Sequence, residues 1–153
     1  MNMVMVICGD PGGPCPMCGA AAAFHVAEAI EAGRVVWTTT SRCTHCNYVS
    51  QDRASPALFD RVAAITRRTL LARVGLTRLR ADPGENRDRR RRTLTVFRRQ
   101  GATIAEVADA YAALTGPGLT GTPAEMTVLA EHLTAEGVQV TLEHSSDDHA
   151  EIA

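Results

Sequence analysis

The chain has no lysine, and its sixteen basic residues are all arginine. A GC-rich genome produces that bias as readily as a binding surface does. No apolar run approaches the roughly 20 residues that span a bilayer, so no membrane role is expected. The opening MNMVMVICGD is apolar but has neither a basic leading segment nor a small-residue cleavage site. It therefore reads as a first strand and not as a signal peptide, which favours the cytoplasm. No Ser-His-Asp set, glycine-rich phosphate loop or convergent pair of carboxylates is present, and an enzyme is not expected. There is no internal repeat.

What is present is a soluble, globular composition, 45% apolar and 22% charged over 153 residues. That length accommodates two small modules, each stapled or tightly packed. The net charge of -1 conceals a division along the chain. Residues 61–99 hold thirteen arginines against Asp82, Glu85 and Asp88, whereas residues 103–153 hold nine acids and no basic residue. Of the five cysteines, four fall in two Cys-x-x-Cys pairs. In a reducing compartment that arrangement points to a metal rather than to disulfides.

The pairs are CPMCG, with Cys15 and Cys18, and CTHCN, with Cys43 and Cys46. Each turn presents two thiolates, and four such ligands suit the tetrahedron that zinc prefers. Gly19 and Asn47 follow the two pairs and tolerate the positive φ that bends the backbone toward its own sulfurs. Over residues 14–50 the chain resembles the zinc-ribbon family. The resemblance implies a structural zinc held by Cys15, Cys18, Cys43 and Cys46, with no open coordination position. His45 is expected to face solvent on its turn, Cys8 to be a small buried apolar residue, and His25, Trp37 and Tyr48 to pack the hairpin.

Residues 8–19 are rich enough in Gly and Pro to predict irregular structure. AAAFHVAEAI and RVVWTTTSR flank Glu31-Ala32-Gly33 as a hairpin. A helix is expected from a Ser55 cap with Pro56 in its first turn to Gly75, burying Leu58, Val62 and Ile65. LTRLRADPGE reads as a strand running into a turn, followed by a basic amphipathic helix over residues 86–100 that docks through Leu94 and Phe97. Thr103-Ile-Ala-Glu106 and Thr122-Pro-Ala-Glu125 are capping boxes. The first helix is expected to bury Ile104, Val107, Ala108 and Tyr111, the second Met126, Leu129, Ala130 and Leu133. VQVTLE alternates as a half-buried strand, and the tail EHSSDDHAEIA is expected to be disordered; its His144, Asp147, Asp148 and His149 read as polar residues rather than a metal site.

The fold class that follows is α+β: a zinc-ribbon hairpin over residues 1–53, a connecting helix over 54–75, and a compact α/β sandwich with three helices over 76–143. The tail occupies residues 144–153. The order strand, helix, helix, short strand, helix, strand, with LTGPGL and PAEMTVLAEHLTAEGVQVTLE, resembles the C-terminal domain of the bacterial ribosomal stalk protein. That family recruits translation factors through a lysine-bearing surface and dimerises through an N-terminal helical segment. This chain has neither, so the resemblance implies the fold and not the ribosomal role; Arg87, Arg91 and Arg98 are the residues that would stand in for the surface. A winged helix-turn-helix is the rival arrangement. Its recognition helix would carry Glu125, Glu131 and Glu136 and no basic residue, which is unfavourable beside phosphates. The expected function is a non-catalytic, zinc-stabilised adaptor whose partner is another protein. The alternative is a nucleic-acid-binding regulator acting through RDRRRRTLTVFRR, and the bland reading of that stretch is a solvated helix face.

Overall fold

A computed structural model describes residues 8–59 and 64–145 of the chain. The architecture is α+β, with two antiparallel sheets and four helices among the described residues. The first sheet is a meander of β1 (Cys8–Pro14), β2 (Ala21–Glu31), β3 (Arg34–Cys43) and β4 (Val49–Ala54), in that spatial order. The Gly/Pro-rich segment therefore forms a strand where irregular structure was expected. It can do so because β1 is an edge strand, where proline's missing N–H costs no ladder bond, and its register shifts between Pro11 and Pro14.

β2 and β3 pair without a break from Glu31↔Arg34 to Ala22↔Cys43. Their connection is the two residues Ala32 and Gly33, with φ of 49° and 72°. Positive φ at both central positions matches the right-handed twist of the flanking strands. Glycine adopts it freely, whereas alanine does not.

The helix expected from Ser55 is α1 (Ala64–Val74) among the described residues. Ser55 does not cap it: the hydroxyl donates to the Val35 carbonyl across the junction with β3. Residues 55–59 are non-helical, and Leu58 and Phe59 pack on the C-terminal core, with Phe59 edge-on to Phe97 at 6.1 Å. Val62 lies outside the described residues. Gly75, at φ 86°, ends α1 as expected.

The second sheet has the order β6-β5-β7, from β5 (Leu76–Asp82), β6 (Leu119–Gly121) and β7 (Gln139–Ser145). Between these strands run α2 (Arg87–Arg99), α3 (Ile104–Thr115) and α4 (Pro123–Ala135). The strand after α4 returns to pair with β5 and does not fold into a wing. Asn86 caps α2, and both threonine–glutamate capping boxes are formed, Thr103 with Glu106 and Thr122 with Glu125.

Leu79, Phe97, Leu114, Met126, Leu129 and Leu133 form the centre of the core under this sheet. α4 buries all four residues expected of it. α3 differs: Ile104 is 81% exposed, Ala108 is exposed, and the helix packs through Val107, Ala110 and Leu114. At 100° per residue position 104 flanks the stripe 107, 110, 111, 114, about 20° from Tyr111, but it is the first residue of α3 and lies a turn before the buried face begins. On α2, Thr93, Val96 and Phe97 are buried and Leu94 is half-buried. β7 is mostly exposed, with Leu142 at 43%.

A second core crosses between the sheets: Val26, Val35 and Trp37 of the meander pack with Leu70 of α1 and with Ala124 and Val128 of α4. Residues 146–153, including Asp147, Asp148 and His149 of the tail, lie outside the described residues.

Replacing Ala32 with asparagine, which tolerates positive φ better, should stabilise the chain by about 0.5–1 kcal/mol. A rise in the urea midpoint at constant slope checks this; an unchanged or lowered midpoint contradicts the turn assignment.

Candidate metal centre

The two cysteine turns sit at one end of the meander. Cys15 follows β1 and Cys43 closes β3, where it pairs with Ala22. In the first turn the Gly19 N–H donates to the Cys15 carbonyl at 2.8 Å, the Cys15 N–H donates to the Ala20 carbonyl at 2.6 Å, and the Met17 N–H points at the Cys15 sulfur at 3.4 Å. In the second, the Cys43 N–H donates to the Tyr48 carbonyl at 2.9 Å. Gly19 and Asn47 both have positive φ, 75° and 60°, as their places after the pairs required.

These turns bring together the four cysteines that the spacing singled out. All four Sγ atoms lie within 4.8 Å of one another, with Cys15 to Cys46 at 3.6 Å and Cys18 to Cys43 at 3.5 Å. Four sulfurs at about 2.3 Å from a tetrahedral zinc would stand roughly 3.8 Å apart, so the donor set fits such an ion in number, softness and size. His45 is exposed and outside the cluster. Around the sulfurs the packing is slight: Ala22, Ala20 and Tyr48 are the neighbours of buried Cys15 and Cys43.

The thiols are electrostatically unequal. Backbone N–H groups of Cys46 and His45 hold the Cys43 thiol down to about 6, against its partial removal from water. At Cys18 the Ala20 N–H favours the thiolate, but loss of water and hydrogen bonds with Cys43, Cys46 and Cys15 push it up to about 12. Cys46 is pulled down by the Tyr48 N–H and raised on balance by burial and its cysteine neighbours. Cys43 is thus favoured as a thiolate, whereas Cys18 and Cys46 are pushed toward the thiol. A bound dication reverses that preference, because its charge stabilises the remaining thiolates.

A polar group that sequence reasoning missed lies toward the other end of the same hairpin. Glu28, 1% exposed, accepts from the Trp37 indole N–H at 2.7 Å and from the Ala124 backbone N–H at 3.0 Å. Ala124 is in the first turn of α4, where N–H groups have no partner within the helix. Burial pushes the Glu28 carboxyl above its ordinary value; hydrogen bonds from Thr122, Ala124 and Trp37 oppose the shift, and Glu125 adds to it. Glu125, also buried, is held by Arg67, whose Nε lies 3.0 Å from both carboxylate oxygens and whose guanidinium stands 5.4 Å from the Trp37 ring centre. The available signal was an acid in the inward row Phe24, Val26, Glu28, Ile30 of β2.

The sequence-selected arginines are on α2 and do not approach the cysteines. Arg87, Arg91 and Arg98 are exposed, and Arg98 donates to the Ala102 carbonyl at 2.7 Å. Arg90 lies over Tyr111, and Arg99 pairs with Glu136 at 3.6 Å. Among the described residues Arg87, Arg89, Arg91 and Arg92 have no acidic partner. No helix among the described residues is long and apolar enough to cross a membrane.

Comparison with protein-family models, with curated proteins and with solved structures found no match to this chain. The cysteine geometry is consistent with a zinc ribbon, and no family match supports the stalk resemblance. Fold and site together define an α+β protein with a four-cysteine cluster able to hold a metal ion.

Metal analysis of the purified chain should find about one zinc per molecule. Cys15→Ser or Cys43→Ser should lose it, whereas full zinc in either variant would refute the assignment. Protons compete with the ion for thiolates, so zinc affinity should fall as pH is lowered from 8 to about 5. A pH-independent affinity would exclude thiolate ligands.

Proposed function

We propose that the protein is a non-catalytic adaptor in which zinc staples the N-terminal sheet and the arginine face of α2 meets another protein. The observation that carries this reading is the placement of charge on α2. Seven of its thirteen residues are arginine, and three of them, Arg87, Arg89 and Arg90, stand in its first turn, at the positive end of the helix dipole. Cations there destabilise a helix by a few tenths of a kcal/mol each. Asp88 is the only acid in that turn. A local choice that opposes stability points to selection for something else, and an anionic partner supplies the missing compensation.

Arg87, Arg91 and Arg98 lie on one strip of this helix, opposite the docked residues Thr93, Val96 and Phe97. Guanidinium groups offer paired donors to carboxylates as well as to phosphates. The protein reading is favoured by Ile104, 81% exposed and two residues beyond the carbonyl that receives Arg98. An exposed isoleucine soon after the C-terminal end of α2 suits an amphipathic protein segment and gives nothing to a phosphate backbone. The nucleic-acid reading rests on the same arginines without using Ile104. In either case four cysteine ligands leave the ion no open position, which is why the metal is assigned a structural role. The reading requires a reducing compartment that preserves thiolates.

Binding should survive an increase in salt from 50 to 300 mM with only a modest loss. A fall of about one power of salt concentration per contacted phosphate would instead identify nucleic acid. The Arg87→Gln/Arg91→Gln/Arg98→Gln protein should keep its circular dichroism and zinc content while losing partner capture from extract of the native host. Retained capture would reduce the strip to a solvated face.

A further inference from the structure

Glu28 and the cysteine quartet belong to one ladder. Cys43 pairs with Ala22 and Trp37 pairs with Glu28, on the same face of β2–β3, six residue steps apart. At about 3.4 Å per residue the two sites stand some 20 Å apart along the hairpin. The hairpin has an anchor at each place and little else. At the cysteine end the buried cluster comprises Cys15, Cys43 and Ala22, with only Ala20 and Tyr48 packed against it. Toward the other end, among the described residues, Val26, Val35 and Trp37 of the hairpin share their buried cluster with Leu70, Ala124 and Val128, and Phe24 and Ile30 pack against it.

We propose that metal binding at the four cysteines and docking of the β2–β3 hairpin onto α4 through Glu28 are thermodynamically linked, so that the hairpin reports metal loading to the C-terminal core. The inference rests on the reading of the quartet as a metal site. Pairing from Ala22 to Glu31 is continuous, so fixing either end reduces the freedom that the other must lose. Linkage is reciprocal: metal tightens the docked state by the factor by which docking tightens metal.

The groups facing Glu28 are Trp37 of β3, Ala124 and Thr122 of α4 and its cap, Glu125 of α4, and Arg67 of α1, which binds Glu125 and covers the indole. Two elements, β3 and the N-terminal turn of α4, therefore meet the Glu28 carboxylate directly, and α1 reaches it only through Glu125 and the indole. A glutamine here offers one oxygen to the indole, the Ala124 N–H and the Thr122 hydroxyl, so at least one of these donors loses its acceptor.

Two arms test the proposal on the full chain. The zinc dissociation constant is measured by competition with a chromophoric chelator for the native chain, Glu28→Gln and the exposed control Glu131→Gln. Glu28→Gln should bind zinc about five- to twentyfold more weakly although it lies far from the sulfurs, and the control should not change. Conversely, stripping zinc from the native chain should red-shift the emission of Trp37, the one tryptophan in the sequence, and speed amide exchange at Ala124 while Leu79 and Phe97 remain protected. Unchanged zinc affinity in Glu28→Gln, or unmoved Trp37 emission and Ala124 exchange in the stripped chain, overturns the linkage while leaving the metal site standing. A native chain that binds no zinc overturns both. If Glu28→Gln fails to fold, the native-chain arm decides alone.

Discussion

Four thiols drawn to within 4.8 Å of one another are the constraint on which the N-terminal half depends. Among the described residues, the apolar neighbours of these sulfurs are alanines and one tyrosine, little surface to hold two turns in register. Backbone N–H groups prepare Cys43 as a thiolate, but the neighbouring sulfurs resist further ionisation. A soft dication satisfies both requirements at once. Such an ion would remove the electrostatic conflict and add folding free energy to the turns that hold it.

The C-terminal half has a different source of order. Its helices carry their own caps, and its core is a continuous set of leucines with Phe97 and Met126 beneath the second sheet. The two halves meet at α4, which presents its flank to the meander and its N–H groups to Glu28. Burying that carboxylate is costly unless its oxygens are satisfied, and both are: one by a side chain of its own sheet, the other by a helix N-terminus 96 residues away. The arginine face of α2 stands outside this packing, and among the described residues Arg87, Arg89, Arg91 and Arg92 have no acidic partner.

How much of this was legible depended on how local each signal is. The cysteine turns, the hairpin and both capping boxes are written in windows of two to five residues, and the structure has them where the sequence placed them. α4 was read correctly because its buried row Met126, Leu129, Leu133 is unbroken. What failed required knowledge of a distant partner. Ser55 looked like a helix cap, yet its hydroxyl is taken by Val35 on another strand. Ile104 looked like core because its spacing fits a helix, but neighbouring elements cover the face centred on Val107 and Leu114. β1 looked irregular because an edge position, which makes its prolines harmless, is a property of the sheet and not of the segment. Glu28 left a trace, as an acid in the inward row of β2, but its partner on α4 is 96 residues away.

Whether the cluster is a staple depends on the atoms around a bound zinc, and X-ray absorption at the zinc edge of the purified chain reads those directly. Four sulfur scatterers at about 2.3 Å, with no nitrogen or oxygen in the first shell, are the expected result. A mixed sulfur and oxygen shell would mean an open coordination position and reactive chemistry at the ion, and would contradict the staple on which the proposed function depends.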